Sequence, residues 1–420
     1  MDHFTYRTGE LYAEEVSIKA IAEANGTPFY CYSTATLVRH YRIFKESLAS
    51  LNPLICYAAK ANDSLAVVRT LVQEGSGVDA VSGGEIHIAL KAGADPQKIV
   101  FSGVGKTESE IEYAITQGIF QFNTESPAEI HAISQVAERL NKTANIAIRV
   151  NPDVDAGTHA KIATGHKESK FGIPIEQALG LYHIAASLPN LNIQGVSVHI
   201  GSQLTTLAPF AKAFARVTRL VHELRKEGHM ITTLDLGGGL GIPYDSNQSE
   251  PPLPHAYAEM VKEHTQGVNC QLIFEPGRLI VGNAGILVTK VLYLKHASDR
   301  VFVIVDAGMN DLMRPALYDS YHDIIPVRVQ ENAKTELVDV VGPVCESSDI
   351  FAEKRLLKLP AQGDLLAMRS AGAYGASMAS TYNARSLPME IMVRGKEFFV
   401  IRERETYEDL TRRDRIPAWL

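Results

Sequence analysis

Between about residues 54 and 277, short apolar runs alternate with longer helical patterns, and this rhythm constrains the fold more than any other feature of the chain. The predicted strands are 54–59, 77–81, 98–102, 119–123, 145–150, 193–199, 232–236 and 271–275. The segments between them carry helix-start signals. Ser82-Gly83-Gly84-Glu85 reads as a capping box with Gly93 beyond the helix end, Thr107-Glu108-Ser109-Glu110 as another closed by Gly118, and Ser126-Pro127-Ala128-Glu129 as a third with proline at the first helical position. Eight strands, each followed by a helix, predict a (β/α)8 TIM-like barrel over residues 33–280. A doubly wound open sheet is the alternative with the same alternation.

After residue 280 the rhythm changes. Segments 286–294, 301–305, 337–341, 365–368, 391–393 and 398–401 are strand-like and separated by turn residues. The chain therefore reads as α/β plus all-β. A C-terminal β-barrel or Greek-key-type domain over 281–420 also takes in the strand-like pieces of residues 1–32. Composition excludes several classes. With 45% hydrophobic and 21% charged residues and a net charge of −7, the chain has a globular balance and no basic face for nucleic acid. No apolar run has the length of a membrane span, and the N-terminal residues lack a cationic and apolar leader pattern. Cys31, Cys56, Cys270 and Cys345 are scattered, with no C-x-x-C pair, which fits a reducing cytoplasm rather than a disulfide framework or a metal site.

The polar motifs converge on one end of the predicted barrel. Lys60 follows strand one, His199-Ile200-Gly201-Ser202-Gln203 strand six, Gly237-Gly238-Gly239-Leu240-Gly241 strand seven, and Glu275-Pro276-Gly277-Arg278 strand eight. All lie at carboxyl ends of strands, where barrel enzymes build their sites. A strand-end lysine ordinarily reaches solvent. Flanked by Ala58, Ala59 and Ala61, however, Lys60 meets desolvation that disfavours its ammonium form and readies the amine as a nucleophile. The glycine run lacks the Walker and dinucleotide spacings, so it is either a plain turn or a cup of backbone N–H groups for an anion. Glu275 ends an apolar strand and needs a cationic or N–H partner there. His166 reads as loop surface and Glu85 as a capping residue. In the β half, Arg314 and Tyr318 stand four apart, Cys345 adjoins Glu346, and Tyr374 sits among small residues. An amine, an anion cup, an acid and an arginine together match pyridoxal 5'-phosphate, whose aldehyde, phosphate and ring nitrogen need those partners.

These residues carry a resemblance over nearly the whole chain. Tyr57-Ala58-Ala59-Lys60-Ala61-Asn62, Lys167-Glu168-Ser169-Lys170-Phe171-Gly172, His199-Ile200-Gly201-Ser202-Gln203, Gly237-Gly238-Gly239 and Glu275-Pro276-Gly277-Arg278 resemble the barrel-type, alanine-racemase-like family of pyridoxal phosphate decarboxylases. Arg314-Pro315-Ala316-Leu317-Tyr318, Gly342-Pro343-Val344-Cys345-Glu346-Ser347 and Gly372-Ala373-Tyr374 are similar to its diaminopimelate branch. The resemblance implies a carboxy-lyase that converts meso-2,6-diaminopimelate to L-lysine and carbon dioxide, the last step of lysine biosynthesis by that pathway. It implies Lys60, Cys345 and His199 as catalytic residues. Lys60 would anchor the cofactor, with His199 against its ring and Glu275 at the ring nitrogen. Ser202, Gly238, Gly239, Gly277 and Arg278 would hold its phosphate, and Tyr374 would touch cofactor and substrate. Arg278, Arg314, Tyr318 and Glu346 would read the far end of the substrate, and Cys345 would return the proton. The family implies a homodimer with shared sites, the β domain completing site and interface. An ornithine- or arginine-type decarboxylase on the same fold is the alternative within enzymes. A non-catalytic regulator with the same fold is the alternative outside them.

Overall fold

The computed structural model describes residues 2–155, 170–245, 250–298 and 300–420. They divide into two compact units, one of Val38–Pro243 and Ser249–Ile280, the other of Met1–Leu37, Tyr244–Gln248 and Val281–Leu420.

The first unit is a closed barrel of eight parallel strands: Leu54–Ala58, Gly77–Ala80, Ile99–Phe101, Gln121–Thr124, Ala144–Asn151, Leu191–Val198, Thr233–Asp235 and Gln271–Phe274. Every predicted barrel strand is present. Each pairs with the next in chain order, and Phe274 against Ile55 closes the ring. Parallel strands buried on both faces are written as near-continuous apolar runs, which is why these were legible. Leu54, Cys56, Val100 and Ile273 pack together in the barrel core, with Phe120 against them.

The helix caps follow the sequence with one refinement. Thr107 and Glu110 form a complete capping box, and Gly118 ends that helix in the left-handed conformation (φ 70°) that favours glycine. Ser82 and Ser126 also accept from the backbone N–H three residues on, at Glu85 and Glu129. The two glutamates reach back one residue further than a capping box requires, to the N–H groups of Val81 and Glu125 (2.8 Å each).

The eighth strand breaks the expected pattern. Only a four-residue helix, Arg278–Val281, follows it, because the chain turns through Gly282 and Gly285 into the strand Gly285–His296. The helix Thr34–Ser47 packs near that seam instead, with Phe44 edge-on to Phe274 at 6.0 Å and near-stacked on Tyr257 at 6.2 Å.

The second unit is sheet-rich. Its main path runs Ile350–Lys358, Thr335–Val341, Val301–Val305, Gly285–His296, Phe29–Ser33, Met389–Arg394 and Glu397–Arg402. The long strand Gly285–His296 organises it: its first half pairs with Phe29–Ser33 and Leu365–Met368, its second with Val301–Val305. The fully buried N-terminal strand Phe29–Ser33 lies inside the sheet, so the residues before the barrel contribute to this core. Strand Ile350–Lys358 had no clear sequence signal, since Glu353, Lys354, Arg355 and Lys358 interrupt its apolar pattern.

Candidate active site

In the barrel unit, Lys60 occupies a single 3-10 turn, Ala59–Ala61, directly after the first strand. Its Nζ lies 2.5 Å from Oδ2 of Asp79, a fully buried residue of the second strand. The sequence suggested a desolvated amine; instead the lysine side chain is 33% exposed and paired with a buried carboxylate. Among the described residues the other oxygen of Asp79, also buried, has no hydrogen-bond partner.

His199 follows the sixth strand. Its Nδ1 accepts from the N–H of Gly238 at 3.2 Å, so a neutral ring carries its proton on Nε2. Desolvation, with the cations of Arg149 and Lys60 adding to it, holds this imidazole well below its ordinary value. A flat, uncharged ring results.

Glu275 follows the eighth strand and is buried. Its Oε1 accepts from the hydroxyl of Ser102 (3.2 Å) and the amide of Asn123 (3.3 Å). Asn123 also donates to Oδ2 of Asp235 at 2.8 Å, so one amide bridges the two buried acids. Burial first, then the negative charges of Asp235 and Asp79, pushes Glu275 well above the usual carboxyl range, with Lys60 opposing. Burial raises Asp235 as well. The partners of Glu275 are therefore a hydroxyl and an amide N–H, not a cation. Asp79, Ser102, Asn123 and Asp235 were all missed. Their signal was a polar residue inside or at the end of a buried strand, which one sequence cannot aim.

The glycine run is shaped by its neighbours. A Cβ on Gly238 would stand 2.2 Å from the carbonyl oxygen of Glu275, one on Gly237 2.5 Å from that of Val198, and one on Gly239 2.4 Å from that of Gly201. The side chain of Gln203 clasps the backbone of Ile242 through both its N–H and its C=O, fastening the loop after strand six to the loop after strand seven. The turn after strand eight is fastened likewise: the Ala58 N–H donates to Pro276 O at 3.1 Å, and Arg278 Nη2 donates to Ser202 Oγ at 2.9 Å. Among the described residues, the N–H groups of Gly239 and Gly277 have no protein acceptor. Open amide donors beside a hydroxyl and a guanidinium are a donor set for an anion. Together with an amine, a flat neutral ring and a protonatable acid, the set fits a phosphorylated pyridine aldehyde.

The second unit holds the remaining candidates. Arg314 is buried at the start of the short helix Arg314–Tyr318. Its Nη1 lies 2.9 Å from His322 Nε2, and its guanidinium lies over the Tyr244 ring at 4.6 Å. His322 Nδ1 faces the Arg369 carbonyl at 2.8 Å and donates to it, leaving Nε2 to accept from Arg314. Tyr318 closes that helix, half-buried. Tyr374 is half-buried with φ 56°, a left-handed backbone that a tyrosine rarely adopts. Cys345 and Glu346 lie on an exposed turn, so the thiol is not an inert core residue. Of the remaining sequence features, Phe171 lies between the cations of Arg149 and Lys170 (5.0 Å each), while His166 and residues 167–169 lie outside the described residues.

The pyridoxal binding domain of pyridoxal-dependent decarboxylases matches residues 34–282. A diaminopimelate decarboxylase of Zymomonas mobilis is 49% identical over 420 residues, covering 99% of both chains. The crystal structure of diaminopimelate decarboxylase from M. jannaschii in co-complex with L-lysine superposes with a TM-score of 0.95 at 39% identity, over 100% of this chain and 99% of that one. The corresponding Helicobacter pylori structure, also complexed with L-lysine, gives 0.90 at 42% identity, over 94% and 98%. The match spans both units and far exceeds what a shared fold alone requires. The chain belongs to the diaminopimelate decarboxylase family of pyridoxal-dependent decarboxylases.

Proposed function

We propose that this chain removes carbon dioxide from meso-2,6-diaminopimelate to give L-lysine, the closing step of lysine biosynthesis, with pyridoxal 5'-phosphate as cofactor. The observation that carries the reading is the set gathered at the barrel strand ends: the Lys60 amine, the neutral His199 ring, the buried acid Glu275 and the open amides of Gly239 and Gly277. Bound there, the cofactor supplies an aldehyde that takes the substrate amine and a ring that accepts the electron pair left by departing carbon dioxide.

The chain's own groups do the rest. Lys60 would anchor the cofactor through its amine. The neutral His199 imidazole would lie against the ring without adding a charge to it. Glu275, its carboxyl raised by burial, would stand at the ring nitrogen as its acidic partner. Ser202, Gly238, Gly239, Gly277 and Arg278 hold the phosphate, and Tyr374 touches cofactor and substrate. The Cys345 thiol delivers the proton that replaces the lost carboxylate. At the far end of the substrate, the guanidinium fork of Arg314, with Arg278 and Tyr318, suits a carboxylate, and Glu346 suits an ammonium. A diamine substrate such as ornithine, with no distal carboxylate, would offer the Arg314 fork nothing to bind, which is a basis for selection.

We assign the barrel, residues 33–280, to cofactor binding and residues 1–32 and 281–420 to completing the site and the interface of a homodimer. The exposed Cys345–Glu346 turn supports a site finished by a second copy. No helix among the described residues is long and apolar enough to cross a membrane, and the four cysteines are free, in keeping with a cytoplasmic enzyme.

The test is lysine formation from meso-diaminopimelate with and without added pyridoxal phosphate, alongside ornithine and arginine. Cofactor-dependent lysine formation supports the proposal. Carbon dioxide from ornithine or arginine but not from diaminopimelate would overturn the substrate.

A further inference from the structure

The turn that carries Cys345 and Glu346 is held by two sets of contacts with different targets. One set fixes its backbone. The buried carboxylate of Asp349 accepts from the N–H groups of Val344 and Met309 at 2.6 Å each. Glu346 N–H donates to Val344 O at 2.8 Å, and Asp349 N–H to Glu346 O at 3.1 Å. Within this set no bond reaches the thiol-bearing residue's N–H or the Glu346 carboxylate.

The second set addresses those two groups. The Cys345 N–H donates to Asn383 Oδ1 at 3.0 Å. The Tyr382 hydroxyl donates to Glu346 Oε1. Two consecutive side chains thus hold the two consecutive residues assigned here to proton return and to reading the substrate's far end.

The loop that presents them is strained and tied down. Asn383 (φ 57°) and Ala384 (φ 53°) both adopt left-handed backbone. Such a pair of non-glycine residues persists only where its surroundings hold it. The anchors lie on either side: Ser380 N–H donates to Asn310 O at 2.8 Å, and Arg385 Nη2 to Asp306 O at 2.8 Å. A strained loop anchored at both ends makes a rigid bracket.

We propose that Tyr382 and Asn383 are positioning residues for the reaction: Asn383 fixes where the Cys345 thiol stands, and Tyr382 fixes which oxygen of Glu346 remains open to the substrate's distal ammonium. This rests on the roles given above to Cys345 and Glu346. The phenol donates to one carboxylate oxygen and leaves the other as acceptor. Without it, the exposed carboxylate turns freely in water and its orientation must be fixed each time substrate binds. Asn383 acts on the main chain of Cys345, so its loss moves the thiol without changing its chemistry.

The test compares Tyr382→Phe, Asn383→Ala and Asn383→Asp holoenzymes with Cys345→Ala and Glu346→Ala as references. Tyr382→Phe is expected to raise KM for diaminopimelate about five- to tenfold with kcat nearly unchanged. Asn383→Ala is expected to lower kcat roughly tenfold with KM nearly unchanged, and to change the rate at which iodoacetamide alkylates Cys345. Asn383→Asp keeps the acceptor and should recover most of the rate. If the two reference variants are impaired while Tyr382→Phe and Asn383→Ala match the parent in kcat, KM and alkylation, the positioning inference fails and the proposed function stands. Combined losses in kcat and KM that track a lowered Tm would also overturn it, as simple loop unfolding. Fully active reference variants would sink the roles of Cys345 and Glu346 on which it rests.

Discussion

Asp79 Oδ2 lies 2.5 Å from Lys60 Nζ, and the two partners differ sharply in exposure: the lysine side chain is 33% exposed and the aspartate 0%. The pair is therefore asymmetric under mutation. Removing Lys60 strands a buried negative charge. Removing the charge of Asp79 leaves an amine that can turn toward water.

From this asymmetry, Lys60→Ala should abolish turnover and destabilise the cofactor-free protein by about 3 kcal/mol. Asp79→Asn should cost only about 1 kcal/mol of stability while lowering kcat through a less well oriented amine. Urea unfolding of both cofactor-free variants, beside their steady-state rates, provides the check. Equal destabilisation would mean that the pair is not arranged as described.

Glu85 gives a pH dependence. Burial pushes its carboxyl up to about 7, opposed by the Val81 N–H and by Lys60, with Asp79 and Asp63 adding to the rise. A carboxyl raised in the folded state binds its proton more tightly there than in the unfolded chain. Its contribution to stability is complete below the unfolded value and is lost as pH rises through about 7. Glu85→Gln should flatten the decline in cofactor-free stability over that window. Unfolding midpoints measured across it, parent against variant, decide the matter; parallel curves would refute the assignment.

Arg314 is packed as a planar group, bonded to His322 and stacked on Tyr244. Lysine has the charge but neither the fork nor the flat face. Arg314→Lys is expected to raise KM for diaminopimelate roughly 10- to 100-fold, as the loss of a charge-assisted bidentate contact of about 1.5–3 kcal/mol. Steady-state kinetics with diaminopimelate and ornithine should also show reduced discrimination between them.

Thr107→Ala serves as a contrast. It removes the hydroxyl arm of the capping box at the helix Glu108–Gln117, leaving the backbone N–H of residue 107 on Glu110, at a cost of about 1 kcal/mol. Tm should fall with kcat and KM unchanged, which calorimetry and kinetics on one sample can establish.

The barrel was legible because its strands are short, apolar and separated by explicit helix starts. Even the shifted caps at Ser82 and Ser126 leave the same sequence signal, since the glutamate is in place and only its acceptor N–H differs. What failed was local pattern under tertiary control. The charged strand Ile350–Lys358 is fixed by antiparallel pairing with Thr335–Val341 rather than by its own periodicity. The helix expected after the eighth strand shrinks to four residues. In the site, the motif residues could be named from their positions at strand ends, but their partners could not. Asn123 reaches Glu275 across 152 positions and Asp235 across 112, and Asn383 reaches Cys345 across 38. Such contacts follow from how the strands and loops come together, and no spacing in the chain announces them.

The glycine run after the seventh strand has a consequence for how the cofactor site can change over time. Gly237, Gly238 and Gly239 are each required by a carbonyl of a neighbouring strand end or loop, at Val198, Glu275 and Gly201. A side chain there would collide with the barrel before it met any anion. The cup is thus assembled by strand closure, and its shape is set at the folding stage. Drift at these three positions should register as lost expression rather than weakened cofactor uptake. A descendant that gave up catalysis would keep the cup long after it had lost the use for it.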